Sequence, residues 1–115
     1  MVEKLIQKGE DENQDFKQTI SNLYKISKTI VSFANTTGGK ILIGVCDNKY
    51  IIGVDPEEEK YMLTTAAGHY CDPPVKLIFH EEEIEDGSKT VLIVQIEEST
   101  QKPHFAKQNL SHSLP

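Results

Sequence analysis

The fold is decided by residues 32–45, which read Ser-Phe-Ala-Asn-Thr-Thr-Gly-Gly-Lys-Ile-Leu-Ile-Gly-Val. Apolar residues at helical spacing precede this stretch from about Thr19 and continue to Ala34, which predicts a long amphipathic helix. Gly38-Gly39 should end that helix, because glycine readily takes the left-handed conformation found at helix ends. The apolar run at 40–46 then predicts a central strand that is covered on both faces.

The rest of the chain supplies the partners of this helix and strand. In chain order the other predicted elements are a short extended segment at 15–17, a strand at 50–54 that forms a hairpin with the first, a helix from Asp55 to about Tyr70, and strands at 75–80 and 90–96. This order predicts an α+β fold in which two main helices pack on one face of a mostly antiparallel four-stranded sheet. We interpret residues 1–115 as a single domain, with a lead-in at 1–9 and an irregular tail at 97–115, that a longer protein could continue.

Composition limits the classes of function. The formal net charge of −6 argues against a strongly basic nucleic-acid clamp. All twelve basic residues are lysine, and lysine lacks the planar fork with which arginine reads guanine, so base-specific recognition is not expected. No run of about 18 apolar residues and no secretory signal is present, and two isolated cysteines suit a reducing interior. We therefore expect a cytoplasmic protein without membrane association.

Several motifs occur in an order that resembles one family. They are Gly9-Glu10, Asp15-Phe16-Lys17, Phe33-Ala34-Asn35-Thr36-Thr37-Gly38-Gly39, Ile43-Gly44-Val45 with Asp47, Ile52-Gly53-Val54 and Lys102-Pro103-His104-Phe105. Together they resemble the Schlafen AlbA_2 domain, also called the divergent AAA-4 or DNA-binding domain. The resemblance implies an AlbA_2-like fold and a nucleic-acid-binding, regulatory role next to a fused or partner domain. Animal relatives include metal-dependent endoribonucleases with three active-site carboxylates.

The resemblance also implies a carboxylate trio in this chain. Glu10 and Asp15 have the five-residue spacing of the first two family carboxylates, and Asp47 matches the third. Three converging carboxylates would hold Mg²⁺ or Mn²⁺, which can activate water for phosphodiester hydrolysis. The family usually has glutamate where this chain has Asp15, and these 115 residues contain one copy of a domain that nuclease relatives use twice to hold RNA. The alternative interpretation of the same residues is an ordinary solvated acidic surface.

Four lysines are the predicted contacts for phosphates. Lys25 and Lys28 share the polar face of the long helix, Lys17 precedes it and Lys40 follows the double glycine. A basic stripe beside an acidic pocket would allow an acidic protein to hold a polyanion. The alternative is a solvated helix face to which nothing binds.

The segment from Asn35 to Lys40 has only a partial likeness to a phosphate-binding P-loop. Ala34 stands where the first glycine belongs, Ile41 follows the lysine in place of Ser or Thr, and the order of elements is inverted. ATP hydrolysis is therefore not expected. Instead we predict that Gly38 and Gly39 make the turn and that Asn35 ties the loop by side-chain hydrogen bonds.

Three functions remain open from the sequence. The leading hypothesis is a regulatory domain that binds the DNA or RNA backbone without sequence preference. The first alternative is a metal-dependent endoribonuclease. The second is a protein–protein assembly module, either a homo-oligomer or a contact with a partner domain, formed through an exposed edge strand of the 75–96 pair.

Overall fold

The structure is a computed structural model that describes residues 1–108, so the end of the predicted tail, residues 109–115, lies outside the described residues. The elements are α1 (Val2–Lys8), β1 (Gln14–Lys17), α2 (Leu23–Asn35), β2 (Gly39–Ile43), α3 (Pro56–His69), β3 (Cys71–Asp72), β4 (Ile78–Ile84), β5 (Lys89–Ile96) and β6 (Phe105–Ala106). None of the helices within the described range is long and apolar enough to cross a membrane.

The main sheet has four strands in the order β1-β2-β5-β4. β1 runs parallel to β2, whereas β2 and β4 each pair antiparallel with β5. The short strands β3 and β6 pair separately as a two-stranded ribbon. This arrangement confirms the predicted α+β class with a mostly antiparallel four-stranded sheet.

Two hydrophobic clusters cover the two faces of the sheet. α2 and α3 bury Ile30 and Leu63 against one face, which includes Ile41 and Ile43 of β2. Val2 and Ile6 of α1 lie in the other cluster, together with residues such as Leu42 that point the opposite way from the same strand. The two main helices thus lie on one face as predicted, while the lead-in forms a third helix that covers the other face.

The predicted strand at 50–54 is wrong. Only one bridge forms there, between Val45 and Ile51, because Gly44 and Gly53 both have positive φ, 105° and 79°, and turn the chain out of the sheet. The fourth strand of the sheet is β1 instead, at the edge next to β2. This strand is only four residues long, too short for its pattern to stand out in the sequence.

The N-terminal capping residues explain where α2 and α3 begin. α2 begins at Leu23 rather than near Thr19, because the Asn22 side chain accepts a hydrogen bond from the Lys25 backbone N–H at 2.9 Å. α3 begins as predicted, with the Asp55 side chain accepting from the N–H groups of Glu57 and Glu58. β4 begins later than predicted and continues through the acidic residues at 81–83 to Ile84.

Candidate functional site

Glu10 and Asp15 form a carboxylate pair beside the edge strand β1. Gly9, with a φ of 86°, ends α1 and turns the chain back toward this strand. One Glu10 carboxylate oxygen accepts a hydrogen bond from the Phe16 backbone N–H at 3.0 Å. The hydrogen bond between the Glu10 and Asp15 carboxyl groups is the main reason why the pKa of Glu10 lies above its ordinary value. The two carboxyl groups therefore contact each other beside β1.

Asp47 adds a third negative charge from the turn that follows β2. The Lys49 N–H donates to the Cys46 carbonyl at 2.8 Å and closes this turn. The Lys49 ammonium donates to the Gln7 carbonyl at 3.0 Å, which holds the turn against the end of α1. The charge of Asp47 also raises the pKa of Glu10, although less than the contact with Asp15 does. The three predicted carboxylates therefore interact electrostatically.

These carboxylates do not fit a three-ligand metal site as they are arranged. Within residues 1–108, no three His, Cys, Asp or Glu side chains come close enough together to hold a metal ion. Lys17 Nζ lies 3.1 Å from Asp15 Oδ2, so a lysine neutralises one of the carboxylates that a divalent cation would need. A metal ion at this position would have to displace that ammonium group and draw Asp47 inward.

The substitution Glu10→Gln should stabilise the protein slightly at neutral pH. Because the folded-state pKa of Glu10 is raised, its ionisation opposes folding at neutral pH, and this cost is lost as the pH falls through the raised value. Glutamine keeps an acceptor for the Phe16 N–H and gains a donor toward Asp15. Since the side chain is largely exposed, we expect a gain below about 1 kcal/mol.

Thermal melting of both proteins at neutral and mildly acidic pH tests this expectation. The difference in melting temperature should shrink in acid, where Glu10 itself becomes protonated. A Glu10→Gln variant that melts below the wild type at neutral pH would contradict the assigned cost of ionising Glu10.

Three of the four predicted phosphate-contacting lysines lie near the carboxylate pair. Lys17 and Lys25 line one shallow depression at the start of α2. Lys28 lines a second depression together with Glu10 and Asp15, and its ammonium group lies 4.9 Å from the centre of the Tyr24 ring. The Lys17–Asp15 ion pair joins the two depressions. We call these five residues, Glu10, Asp15, Lys17, Lys25 and Lys28, the lysine–carboxylate surface.

Lys40 lies on the opposite face of the sheet. In the parallel pair of β1 and β2, Gln14 is opposite Lys40 and Asp15 is opposite Ile41. Successive side chains of a strand point to opposite faces, so Lys40 lies on the α1 face, whereas Asp15 and Lys17 lie on the face that α2 and α3 cover. One ligand surface on the α2 side would not include Lys40.

The double glycine forms a close turn between α2 and β2. Gly38 has a φ of 83°, and a Cβ atom there would lie 2.7 Å from the Ile96 carbonyl oxygen. A Cβ atom on Gly39 would lie 2.5 Å from the Phe33 ring. The Gly38 N–H donates to the Phe33 carbonyl at 2.9 Å and completes the helix end. Both positions therefore require a residue without a side chain.

Asn35 joins the end of α2 to the segment before β6. Its side-chain amide donates to the His104 carbonyl at 2.9 Å, and its side-chain oxygen accepts from the His104 N–H at 2.8 Å. The buried His104 ring contacts the Pro73 carbonyl through Nδ1 and the Ser99 hydroxyl through Nε2, both at 2.6 Å. The predicted contacts of Asn35 were within its own loop. The partner is 69 residues away, and only the motif around His104 signals it in the sequence.

Glu59 is a second buried polar residue that the sequence did not reveal. It is 4% exposed, and its carboxylate accepts from the Thr19 hydroxyl at 2.7 Å and the Ile20 N–H at 2.8 Å. These bonds hold the loop between β1 and α2, which carries Lys17 at one end and leads to Lys25. In the sequence, Glu59 belongs to an acidic run at 57–59 that is typical of an exposed first helical turn.

Known structures share this fold at low sequence identity. The N-terminal domain of a RecG-related protein from Nitrosomonas europaea superposes with a TM-score of 0.71 at 20% identity, over 93% of this chain and 78% of that chain. The DIP2311 protein from Corynebacterium diphtheriae gives a TM-score of 0.54 at 16% identity, over 87% of this chain. This chain spans only 25% of the length of DIP2311. At such identities the likeness shows the fold alone.

A comparison with curated proteins finds no match. The sequence pattern of the Schlafen AlbA_2 family, in contrast, matches residues 10–113. The match includes the carboxylate pair, the double glycine and the Asn35–His104 connection described above. Because it extends over most of the 115 residues, the chain belongs to the Schlafen AlbA_2 family.

Proposed function

We propose that this chain is a nucleic-acid-binding domain that contacts phosphates through Lys17, Lys25 and Lys28. The observation that carries the proposal is the grouping of these three lysines around one pair of depressions on an otherwise acidic protein. Membership of the Schlafen AlbA_2 family and the likeness to a domain of a RecG-related protein also support it. In this role the domain acts in the cytoplasm as part of a regulatory protein, next to a fused or partner domain.

The chemistry of the surface defines the kind of binding that we expect. Lysine ammonium groups attract phosphates as point charges and do not discriminate between bases. Glu10 and Asp15 repel phosphates, so a strand should follow the lysine side of the surface. With three phosphate contacts, affinity should fall about 20- to 40-fold between 50 and 200 mM salt.

The double substitution Lys25→Glu/Lys28→Glu should weaken binding of RNA and DNA at least about ten-fold at low salt. Both side chains are exposed on α2, so the fold should tolerate the change. Fluorescence anisotropy with labelled strands measures the affinity, and its salt dependence should become shallower because two ion-releasing contacts are lost.

A matched control is the double substitution Lys4→Glu/Lys76→Glu. Both of these lysines are exposed and lie outside the two depressions, and the two variants carry the same net charge. The control should therefore bind almost as the wild type does. Equal losses in both variants would show that net charge alone is responsible and would refute the assigned surface.

Metal-dependent RNA cleavage is a second candidate function. The observation in its favour is that Glu10 contacts Asp15 and lies within the field of Asp47, and both raise its pKa. A divalent cation that displaced Lys17 and drew Asp47 inward would be stabilised by this negative charge. Incubation of structured RNA with the protein, in Mn²⁺ and in EDTA, tests it on a gel. Cleavage that requires Mn²⁺ and is lost in Asp47→Ala would support the candidate. Cleavage that survives this substitution would come from another site or a contaminant.

A further inference from the structure

Two exposed apolar side chains lie in the loop that follows β2. Tyr50 is 56% exposed and Ile52 is 49% exposed. The Lys17 carbonyl accepts the Val45 N–H at 3.2 Å, and Val45 in turn pairs with Ile51. Two strand spacings therefore separate the backbone of Lys17 from the loop, or about 10 Å. The backbone that carries these two side chains therefore runs beside the end of β1 that bears Lys17.

The Tyr50 ring is held in place although it is not buried. Lys89 Nζ lies 4.7 Å from the ring centre and 3.3 Å from the hydroxyl oxygen. The same ammonium group donates to the Ile51 carbonyl at 2.9 Å. On the backbone side, the Tyr50 N–H donates to the Asn48 side-chain oxygen at 3.0 Å, and the Tyr50 carbonyl accepts from Cys46. An exposed ring fixed in this way loses little conformational entropy when a ligand packs on it.

We propose that Tyr50 and Ile52 form a stacking site for an unpaired base, so that the ligand of the domain is a single-stranded nucleic acid. The proposal rests on the proposed function, because Lys17 of the lysine–carboxylate surface would hold a phosphate of the strand whose base stacks on Tyr50. An aromatic face accepts any base, which agrees with a surface that offers no base-reading arginine. Bases within a duplex already stack on each other, and the ring could not reach them from outside.

Binding of oligo-uridine, oligo-thymidine and a blunt duplex by wild-type protein and three tyrosine variants tests the proposal. Tyr50→Ala should weaken binding of both single strands about ten-fold and leave duplex binding unchanged. Tyr50→Phe keeps the ring and should bind nearly as the wild type does. Tyr61→Ala is the matched control, since Tyr61 is 75% exposed on α3 and should have no role. Thermal melting confirms that each variant is folded.

Intrinsic fluorescence supplies a second readout. The chain contains four tyrosines and no tryptophan, so tyrosine emission can be observed directly. Stacking of a base on Tyr50 should quench part of this emission when oligo-thymidine is added. Tyr50→Phe should bind the strand with little of that quenching.

The outcomes separate this inference from the function on which it rests. If Tyr50→Ala binds single strands as the wild type does while Lys25→Glu/Lys28→Glu does not, the stacking site is wrong and the lysine surface stands. Equal losses on duplex and single strands would also overturn it. If the wild type binds no strand at low salt, both proposals fail. Self-association that is lost in Tyr50→Ala, without strand binding, would assign the loop to a protein contact instead.

Discussion

The substitution Gly38→Ala is expected to destabilise the protein by about 3 kcal/mol or more. Gly38 has a φ of 83°, a conformation that costs about 1 kcal/mol or more for a residue with a Cβ atom. That atom would also lie 2.7 Å from the Ile96 carbonyl oxygen and 3.0 Å from the Glu98 nitrogen. Both obstacles are backbone atoms and cannot rotate away, so the turn would have to move relative to β5. Urea unfolding followed by circular dichroism measures the loss.

Gly68→Ala is the matched control for this prediction. Gly68 lies within α3, and a Cβ atom there would meet nothing within 4 Å. Alanine is the better helix former, so this variant should gain about 0.5 to 1 kcal/mol. The same chemical change is thus expected to have opposite signs at the two sites. A Gly38→Ala variant as stable as the wild type would show that the turn can shift without cost.

The sequence predicted those parts of the fold that have a strong local pattern. Residues 40–46 and 90–96 are nearly continuous apolar runs, and the structure places 40–43 in β2 and 90–96 in β5, at the centre of the sheet with cover on both faces. The first strand ends at Ile43, earlier than predicted, because Gly44 has a positive φ. Asp55 and Pro56 correctly marked the start of α3, because capping depends on residues that are adjacent in sequence.

The sequence prediction was wrong where the backbone conformation of glycine residues, and not the apolar character of a segment, decides whether a strand forms. Residues 50–54 have the apolar character of a strand, but the positive φ of Gly44 and Gly53 takes this segment out of the sheet. β1 was seen only as a short extended segment, because an edge strand that contributes Gln14 and Phe16 to the interior has no long apolar run. Its parallel pairing with β2 depends on the path of α2 between them, which local patterns do not specify.

The candidate site was partly predictable for the same reasons. Lys25 and Lys28 share a helix face, and helical spacing alone predicts this. The proximity of Glu10 to Asp15 came from the family resemblance, since five residues of irregular chain do not fix a distance. Lys40 could not be assigned to a face from the sequence, because a shift of one residue in strand register reverses every side chain.

The lysine–carboxylate surface depends on how α2 is held at both ends. At the N-terminal end, Glu59 binds the backbone of Ile20 and the hydroxyl of Thr19. At the C-terminal end, Asn35 binds both backbone groups of His104. Glu59 and Asn35 therefore stand outside the lysine–carboxylate surface but orient the helix that carries two of its lysines.

Asn35→Ala should destabilise the protein by about 2 to 4 kcal/mol. The substitution removes two hydrogen bonds at once and leaves the His104 N–H and carbonyl without partners in a partly buried position. Hydrogen exchange should also rise in the segment that precedes β6, which is otherwise tied to α2 by the bond from the Ser99 N–H to the Ala34 carbonyl at 2.8 Å. Urea unfolding and exchange mass spectrometry measure the two effects.

Two further variants test whether the loss of the two hydrogen bonds between Asn35 and His104 causes this destabilisation. Asn48→Ala removes a single exposed turn bond to the Tyr50 N–H and should cost less than about 1 kcal/mol. Asn35→Asp keeps the acceptor for the His104 N–H but turns a carboxylate oxygen toward the His104 carbonyl, which raises the pKa of the new acid in the folded state. Its stability deficit relative to the wild type should therefore be largest at neutral pH and shrink as the pH falls through that raised pKa, because the protonated carboxyl can donate again. A deficit that is the same at every pH would mean that lost packing, and not the two-way hydrogen bond, holds the end of α2 to His104.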